Sequence, residues 1–480
     1  MDITNSIYKL ACDVSTFIKN HLNKFESFNS RSFYGETFAL NLLYLTNNLN
    51  EKIKNILFDN YEKLDKNDSE FHWEFNNYAL LYYKLISGDD SVDKFLEPLI
   101  FKNTPCTNWT LLRSNSKLMA RKDEDLAIKE AKEKIKKYQL ESGLILDDPG
   151  VKSFQYHCFS MAMISEIYEQ TKDDFFKTSF LKGVEFIRHF ILSNGETLYI
   201  GRGQNQSFGY GALIYILSQA YKYTNDKTLL GDIDLVLNFL LKFQREDGSF
   251  PLVMNDLEKS IPRVIDMQNP EFTGWYPYNN YFDYLPFMGF FLAKAYKILQ
   301  KLNCQNISYR KQKNYRDENF IKIVKSDYEA VLSKPGGYWT NDMPIPFVVH
   351  KGESITPMYG GEQFQKSLYN LEGIPLPICL TFNKSCRWKM VSFFKENVLC
   401  LISPFGIINR KYNFFDNEIE IITNIFSPFK FKNIYLGLEN KNILYGDLKF
   451  EGYEYSASGK LKKYVNFNKQ DRIVIRLKND

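Results

Sequence analysis

The sequence predicts an N-terminal (α/α)6 toroid, incomplete or closed, followed by a C-terminal antiparallel β-sandwich, and three observations predict it. First, a helical layout recurs. KKYQLESG ends at Gly143, RHFILSNG at Gly195 and KFQREDG at Gly248, so the glycines stand 52 and 53 residues apart. Each closes an amphipathic stretch at a turn where positive φ costs glycine little. Second, the helices that follow these turns carry few charges and many aromatic side chains, whereas those before them set a charged face against an apolar one. Third, after about residue 301 the chain changes to short β-branched and aromatic runs split by Gly, Asn and Asp. A chain of 480 residues exceeds what one core organises. The expected boundaries are a toroid over 1–302, a polar linker over 303–325 and a sandwich over 326–480.

Taken in order, inner-type helices are expected at 32–46, 72–86, 108–121, 153–171, 206–224 and 281–299. Tyr168 and Thr171 in the fourth match Tyr221 and Thr224 in the fifth, and Tyr296 takes the same place in the sixth. Outer-type helices are expected at 7–24, 51–66, 92–101, 124–140, 175–192 and 228–243. An inner helix is covered on one side and faces a cavity on the other, which accounts for the 40 Phe and 32 Tyr. Strands are expected in PIPFVVH, PLPICLTF, WKMVSFF, VLCLISPF, EIEIITNIF, NIYLGL, YGDLKFEGYEY and RIVIRL, with the spacing of a sandwich.

Composition removes several classes of function. The net charge of +4 is small and dispersed, which argues against a nucleic-acid partner. The seven cysteines form no CxxC pair, so they read as reduced thiols without a disulfide framework or zinc site. The start, MDITNSIYKLACDVSTFIKNHLNK, lacks a basic segment followed by an apolar one, and no long uncharged apolar run occurs. A cytoplasmic protein without membrane insertion is expected. GxGxxG after a strand, GxxxxGK[ST], HExxH and GxSxG are all missing, and no cofactor or metal is expected. QREDGSF is similar to the QW-type repeat of terpene cyclases, but it occurs once and without a DxDD acid motif.

Loops from outer to inner helices open on one mouth of a toroid, so their residues and the first inner turns line a common cleft. LILDDPGVKSFQYHCF brings Asp147, Asp148, Gln155, Tyr156 and His157 there. Adjacent on one helix, Tyr156 and His157 point about 100° apart and flank a ligand instead of sharing it. The competing reading of His157 is a satisfied core histidine. ETLYIGRGQNQSFGYG sets Arg202 between glycines, follows it with Gln204, Asn205 and Gln206, and then with Tyr210. Three amides beside one Arg make a donor-rich site for an anion or sugar, against the plainer reading of a tight turn. PEFTGWYPYNNYFDYLPFMG packs Trp275, Tyr276, Tyr278, Asn279, Asn280, Tyr281, Asp283 and Tyr284 together, either as a stacking platform or as an aromatic loop with Asn279 as a cap. Trp73, Asn76, Asn77 and Tyr78 start the second inner helix, and Trp109 and Arg113 share a face of the third. His21 and His189 read as structural, and His350 lies in the second domain.

A toroid, an antiparallel β-domain, and Asn, His, Tyr and Arg on inner helices together resemble the heparinase II/III-like and alginate-lyase-like polysaccharide lyases, over most of the chain at the level of architecture. The resemblance implies a uronate-containing polysaccharide or oligosaccharide cleaved by β-elimination. A neutraliser holds the uronate carboxylate, Tyr or His removes the α-proton, and Tyr protonates the leaving oxygen. Residue by residue it implies His157 as base or carboxylate partner, Tyr156 or Tyr281 as base or acid, and Asn280, Arg202 and Gln206 as neutralisers. Gln204, Trp275, Tyr278, Asn279, Tyr210, Trp109, Arg113, Asn77 and Trp73 would then contact substrate. The chain departs from typical members in its smaller β-domain, and the secretion leader usual among them is not expected from its opening residues. Other readings of the same cleft are an inverting glycosidase pairing Asp147 or Asp148 with Asp283, Glu271 or Glu74, a uronyl epimerase, and a non-catalytic glycan-binding or assembly protein.

Overall fold

Inner and outer helices alternate over most of the described residues up to Leu299, as their patterning predicts. The computed structural model describes residues 2–30, 32–68, 71–99, 106–254, 281–334, 345–358, 370–371, 374–375, 378–380, 391–403, 406–428, 431–438, 443–444, 448–456 and 458–477. In chain order the helices are α1 (Ile3–Phe25), α2 (Gly35–Leu45), α3 (Glu51–Glu62), α4 (Trp73–Ser87), α5 (Thr107–Met119), α6 (Glu124–Tyr138), α7 (Phe154–Thr171), α8 (Asp174–Arg188), α9 (Ser207–Thr224), α10 (Thr228–Leu241) and α11 (Tyr281–Leu299). Lateral packing runs α2 to α4, α5, α7, α9 and α11, and from α11 back to α2. The inner ring is therefore closed. Burial follows the assignment: α1 buries a stripe through Ile7, Leu10, Val14, Ile18 and Leu22, whereas α9 is buried at every residue from Ser207 to Tyr221.

The repeat turns hold the outer ring together. Gly143, Gly195 and Gly248 have φ of +102°, +84° and +84°, and each nests against the backbone of the next outer helix. A Cβ would lie 2.3 Å from the Lys182 carbonyl, 2.0 Å from that of Leu235 and 2.9 Å from that of Asp13, respectively. One expected element is different. The described part of the stretch expected at 92–101 is not an outer helix; a 3-10 turn spans Asp90–Phe95 and residues 96–99 continue without helix. Asp89 caps that turn by accepting from the Ser91 N–H, and Pro98 disfavours helix at the residue before it.

The axis of the ring is filled. Phe287 of α11 meets Phe38 of α2 at 4.4 Å between centroids and Phe159 of α7 at 5.2 Å, and Phe159 stacks on Phe75 of α4 at 5.6 Å. Deeper along the same helices, Lys294 forms an ion pair with Glu166 and donates to the Tyr78 hydroxyl at 3.0 Å, all three buried. Only the first turns above the phenyl layer are left to form a bowl.

The second half is antiparallel throughout its described strands. A five-stranded sheet runs Tyr315–Arg316, Phe320–Val324, Tyr328–Ser333, Phe347–His350 and Glu353–Ser354 in sequence order. A six-stranded sheet has the spatial order Ile443–Leu444, Gln470–Arg476, Glu418–Phe426, Gly406–Phe414, Val398–Ser403, Val391–Lys395. A four-stranded sheet is ordered Lys449–Ser456, Gly459–Asn466, Phe431–Leu438, Ile378–Leu380. Ile321, Ala330 and Val348 of the first sheet share a core with Leu401, Ile421 and Ile473 of the second, which makes a sandwich. Its first two strands lie within the stretch expected to link the domains. The other face of the five-stranded sheet, through Phe320, Val331, Phe347 and Val349, joins the core of the helical ring.

Candidate active site at the mouth of the ring

The bowl is built from the residues that open each inner helix. Tyr34 precedes α2 and stacks on Phe75 at 4.8 Å; Tyr284 of α11 lies 6.3 Å from Tyr34 and 4.7 Å from Phe208 of α9; Phe208 in turn lies 5.8 Å from Tyr156 of α7. Aromatic side chains from five inner-helix starts thus form one connected floor at the mouth of the ring. At its edge His72, just before α4, packs on Trp109 of α5 at 4.4 Å between ring centroids.

One wall carries charge. The Arg202 guanidinium lies over the Tyr156 ring, 4.8 Å from its centroid, and its Nη1 donates to Asp147 Oδ2 at 3.4 Å. Asp147 Oδ1 accepts from Asn108 Nδ2 at 3.1 Å. Burial pushes the Asp147 carboxyl up to about 6, against the pull of Arg202. The loop holding Arg202 is fixed by its own carbonyl, which accepts from the Ser153 hydroxyl at 3.0 Å. Gln155 Nε2 donates to Gln206 Oε1 at 2.9 Å directly above Gly203, where a Cβ would lie 2.5 Å from the Gln155 nitrogen. The glycine after Arg202 is therefore needed for the amides to approach each other.

Several expected residues serve other ends. His157 is fully buried; its Nδ1 accepts from the Ile145 N–H at 3.1 Å and its Nε2 donates to the Gly183 carbonyl at 2.9 Å. Desolvation pushes it down to about 4, so it is a neutral strut between α7 and α8 and not a base in the bowl. The Tyr281 hydroxyl donates to the Phe250 carbonyl at 2.8 Å, and that of Tyr210 donates to Asn205 Oδ1 at 2.8 Å. Arg113, expected on one face with Trp109, is buried towards α6 with Nε 3.4 Å from Glu130 Oε2. Asn77 spends its amide on both backbone groups of Glu97, at 2.7 and 2.9 Å. Asp283 Oδ1 accepts from the N–H groups of Phe33, Tyr34 and Gly35 at 2.9, 2.9 and 2.7 Å. Trp73 is partly buried against the ring core, and Gln204 is buried beside the Arg202 loop. Trp275, Tyr278, Asn279, Asn280 and Glu271 lie outside the described residues.

The bowl also contains residues that sequence reasoning passed over: His72, Tyr34 and Asn108. Each stands at or immediately before the first turn of an inner helix, and that position was the signal available for them. Among the described residues no group of three or more His, Cys, Asp or Glu is placed to hold a metal ion, and no helix is long and apolar enough to cross a membrane.

No family model matches the chain, and no curated protein matches it. Solved structures similar to it include a glycosyl hydrolase family 88 protein from Bacteroides vulgatus, 12% identical, covering 62% of this chain and 99% of the other with a TM-score of 0.43. A polysaccharide lyase is 14% identical, covering 61% and 99%, with a TM-score of 0.41. A heparinase III is 10% identical, covering 90% of this chain and 78% of its own, with a TM-score of 0.32. At this degree of overlap nothing about activity transfers from them.

Proposed function

We infer that the chain acts on a uronate-containing polysaccharide or oligosaccharide and cleaves it by β-elimination in the bowl. The observation that carries this reading is Arg202 stacked on Tyr156 and braced by Asp147, which fixes a cation and a phenol on one wall. β-Elimination from a uronate needs both. The proton at C5 is too weakly acidic until the adjacent carboxylate, and the charge that develops on it, are met by preorganised donors. In this reading Arg202 and the amide of Gln206 hold the carboxylate, with Asn280 as a further neutraliser and Trp275 and Tyr278 as stacking partners for neighbouring sugars.

Tyr156, as the phenolate, takes the C5 proton. That C–H electron pair forms the C4–C5 double bond, and the C4–O bond breaks. The departing oxygen receives a proton from a tyrosine hydroxyl, that of Tyr156 itself or of Tyr284. His157 and Tyr281 have no part in these transfers because backbone groups occupy their polar atoms. The glycosidase reading is less well supported: the Asp283 carboxyl it would enlist caps the start of α2, and Asp147 is engaged by Arg202 and Asn108.

The test is an ultraviolet scan of the protein with a panel of uronate glycans, run beside a reducing-end assay. New absorbance matched by new ends is expected, and Arg202→Ala and Tyr156→Phe should each lower the rate by roughly 100-fold or more, while His157→Gln leaves the rate of folded protein unchanged. Reducing ends without absorbance would replace elimination by hydrolysis. Full activity in both variants would move the site elsewhere.

A further inference from the structure

A second cavity, of about 470 Å³, lies between the helical ring and the five-stranded sheet. Its apolar wall is formed by Phe239 of α10, Phe243 just after it, and Phe347 of the sheet. The lining also includes Glu196, from the loop between α8 and α9. Asn205 Nδ2 donates to Glu196 Oε1 at 2.6 Å, and the Ser354 hydroxyl donates to its other oxygen. Asn205 belongs to the loop that carries Arg202, yet it turns towards Glu196 while Arg202 lies over Tyr156. That loop therefore separates the cavity from the bowl.

We propose that this cavity binds a neutral hexopyranose unit. The volume falls in the range of small-molecule sites, roughly 300–1,000 Å³, and the lining combines aromatic rings with polar side chains, as in a pocket that seats a sugar ring by its apolar face. The polar side chains offer both donors and acceptors. Asn194 uses its oxygen to accept from the Glu196 N–H at 3.0 Å, which leaves the amide NH2 to donate. Thr356 Oγ1 accepts from the Val348 N–H at 2.7 Å and keeps its own O–H for a ligand. Charge then selects among sugars. Among the described residues the lining holds Glu196 and Glu353 against the ammonium of Lys242, so whether or not Glu196 carries a proton these residues give no positive excess to receive a uronate carboxylate. The bowl, with Arg202, has the opposite preference.

This inference extends the carbohydrate reading of the bowl, and its test reads binding instead of cleavage, so the two fail separately. Saturation-transfer NMR on the full chain with glucose, galactose, mannose and glucuronate is the measurement. At least one neutral hexose should receive saturation. Asn194→Asp keeps the acceptor for the Glu196 N–H and removes the donors; it should weaken binding at least fivefold, and Thr356→Val should do likewise. Arg202→Ala should leave binding of the neutral sugar intact. Circular dichroism establishes that each variant is folded, and if Asn194→Asp is not, Thr356→Val decides. The proposal is overturned if no neutral hexose receives saturation, if Arg202→Ala abolishes the signal while the cavity variants retain it, or if glucuronate binds as tightly as the hexoses in a manner that the cavity variants weaken.

Discussion

Asp283 gives one carboxylate oxygen to three successive backbone N–H groups at the start of α2, and it is fully buried. Burial pushes its carboxyl up to about 7 against the pull of those donors. The folded state therefore holds a proton that the unfolded chain, near 3.9, releases. Stability from this group is full below about pH 4, falls as pH rises towards 7 and is level beyond, a decline of about 4 kcal/mol. Asp283→Asn keeps an acceptor and should flatten this part of the urea-unfolding profile between pH 5 and 7. Asp283→Ala strands three N–H groups and should cost about 3–6 kcal/mol below pH 4, the cost shrinking as pH rises towards 7 because the wild-type contribution declines there. His157 acts with the opposite sign. Held down to about 4, it is neutral when folded and protonates readily when unfolded, so its share of stability is present above about pH 6.5 and is lost as pH falls through 4. His157→Gln should lower stability by about 1–3 kcal/mol at pH 7 and remove that share of the acid sensitivity, checked by unfolding from pH 4 to 7.

At the scale of elements, the turn after each outer helix is the joint. Gly195 has φ +84° and a Cβ there would overlap the Leu235 carbonyl, whereas Gly88 has φ +72° with nothing within 4 Å of a Cβ. Gly88→Ala should cost about 1 kcal/mol from backbone conformation alone. Gly195→Ala should cost more, about 3 kcal/mol or above, because two helices must separate; equal costs in chemical unfolding would show that the close approach is unimportant. These joints were legible because a glycine spacing survives in the text, and the helices they punctuate appear close to where their periodicity puts them. The strand Tyr328–Ser333 and its neighbour Phe320–Val324 were not legible. Glu329 and Lys322 interrupt their apolar runs, and the two are buried as a pair, 2.9 Å apart, against the ring. A sequence shows two charges and not that they cancel. The same blindness affected the site. Helical spacing puts His157, Tyr210 and Arg113 on inner helices, but not whether each side chain turns to the bowl or to the outer layer. Tyr156 and Arg202, whose side chains meet in the structure, were singled out because their loop junctions concentrate polar residues.

For the whole molecule, the sheet domain is less a neighbour than a continuation of the ring. Tyr199 stacks on Phe347 at 4.2 Å, the Ser193 N–H donates to Glu329 at 2.6 Å, and Lys322 donates to the His189 carbonyl at 2.9 Å. With one apolar core running through both parts, heating should give one calorimetric transition whose van't Hoff and calorimetric enthalpies agree. Two resolved transitions would show that the interface does not couple them. A fragment ending at residue 302 should be less stable than the intact chain and prone to aggregate, since it bares the surface that the sheet covers.

The clasp of Asp283 on the start of α2 joins positions about 250 residues apart, and this sets an order of events during synthesis. A ribosome has made five of the six inner helices before the partner of the first emerges, so the nascent ring stays open, its first and fifth members lacking their shared neighbour. Contacts so distant in sequence make closure the slow step. Until then the aromatic faces of α2 and α9 stand exposed to whatever else is nearby in the cell, which makes the time between translating α9 and α11 the period in which this protein most needs a chaperone.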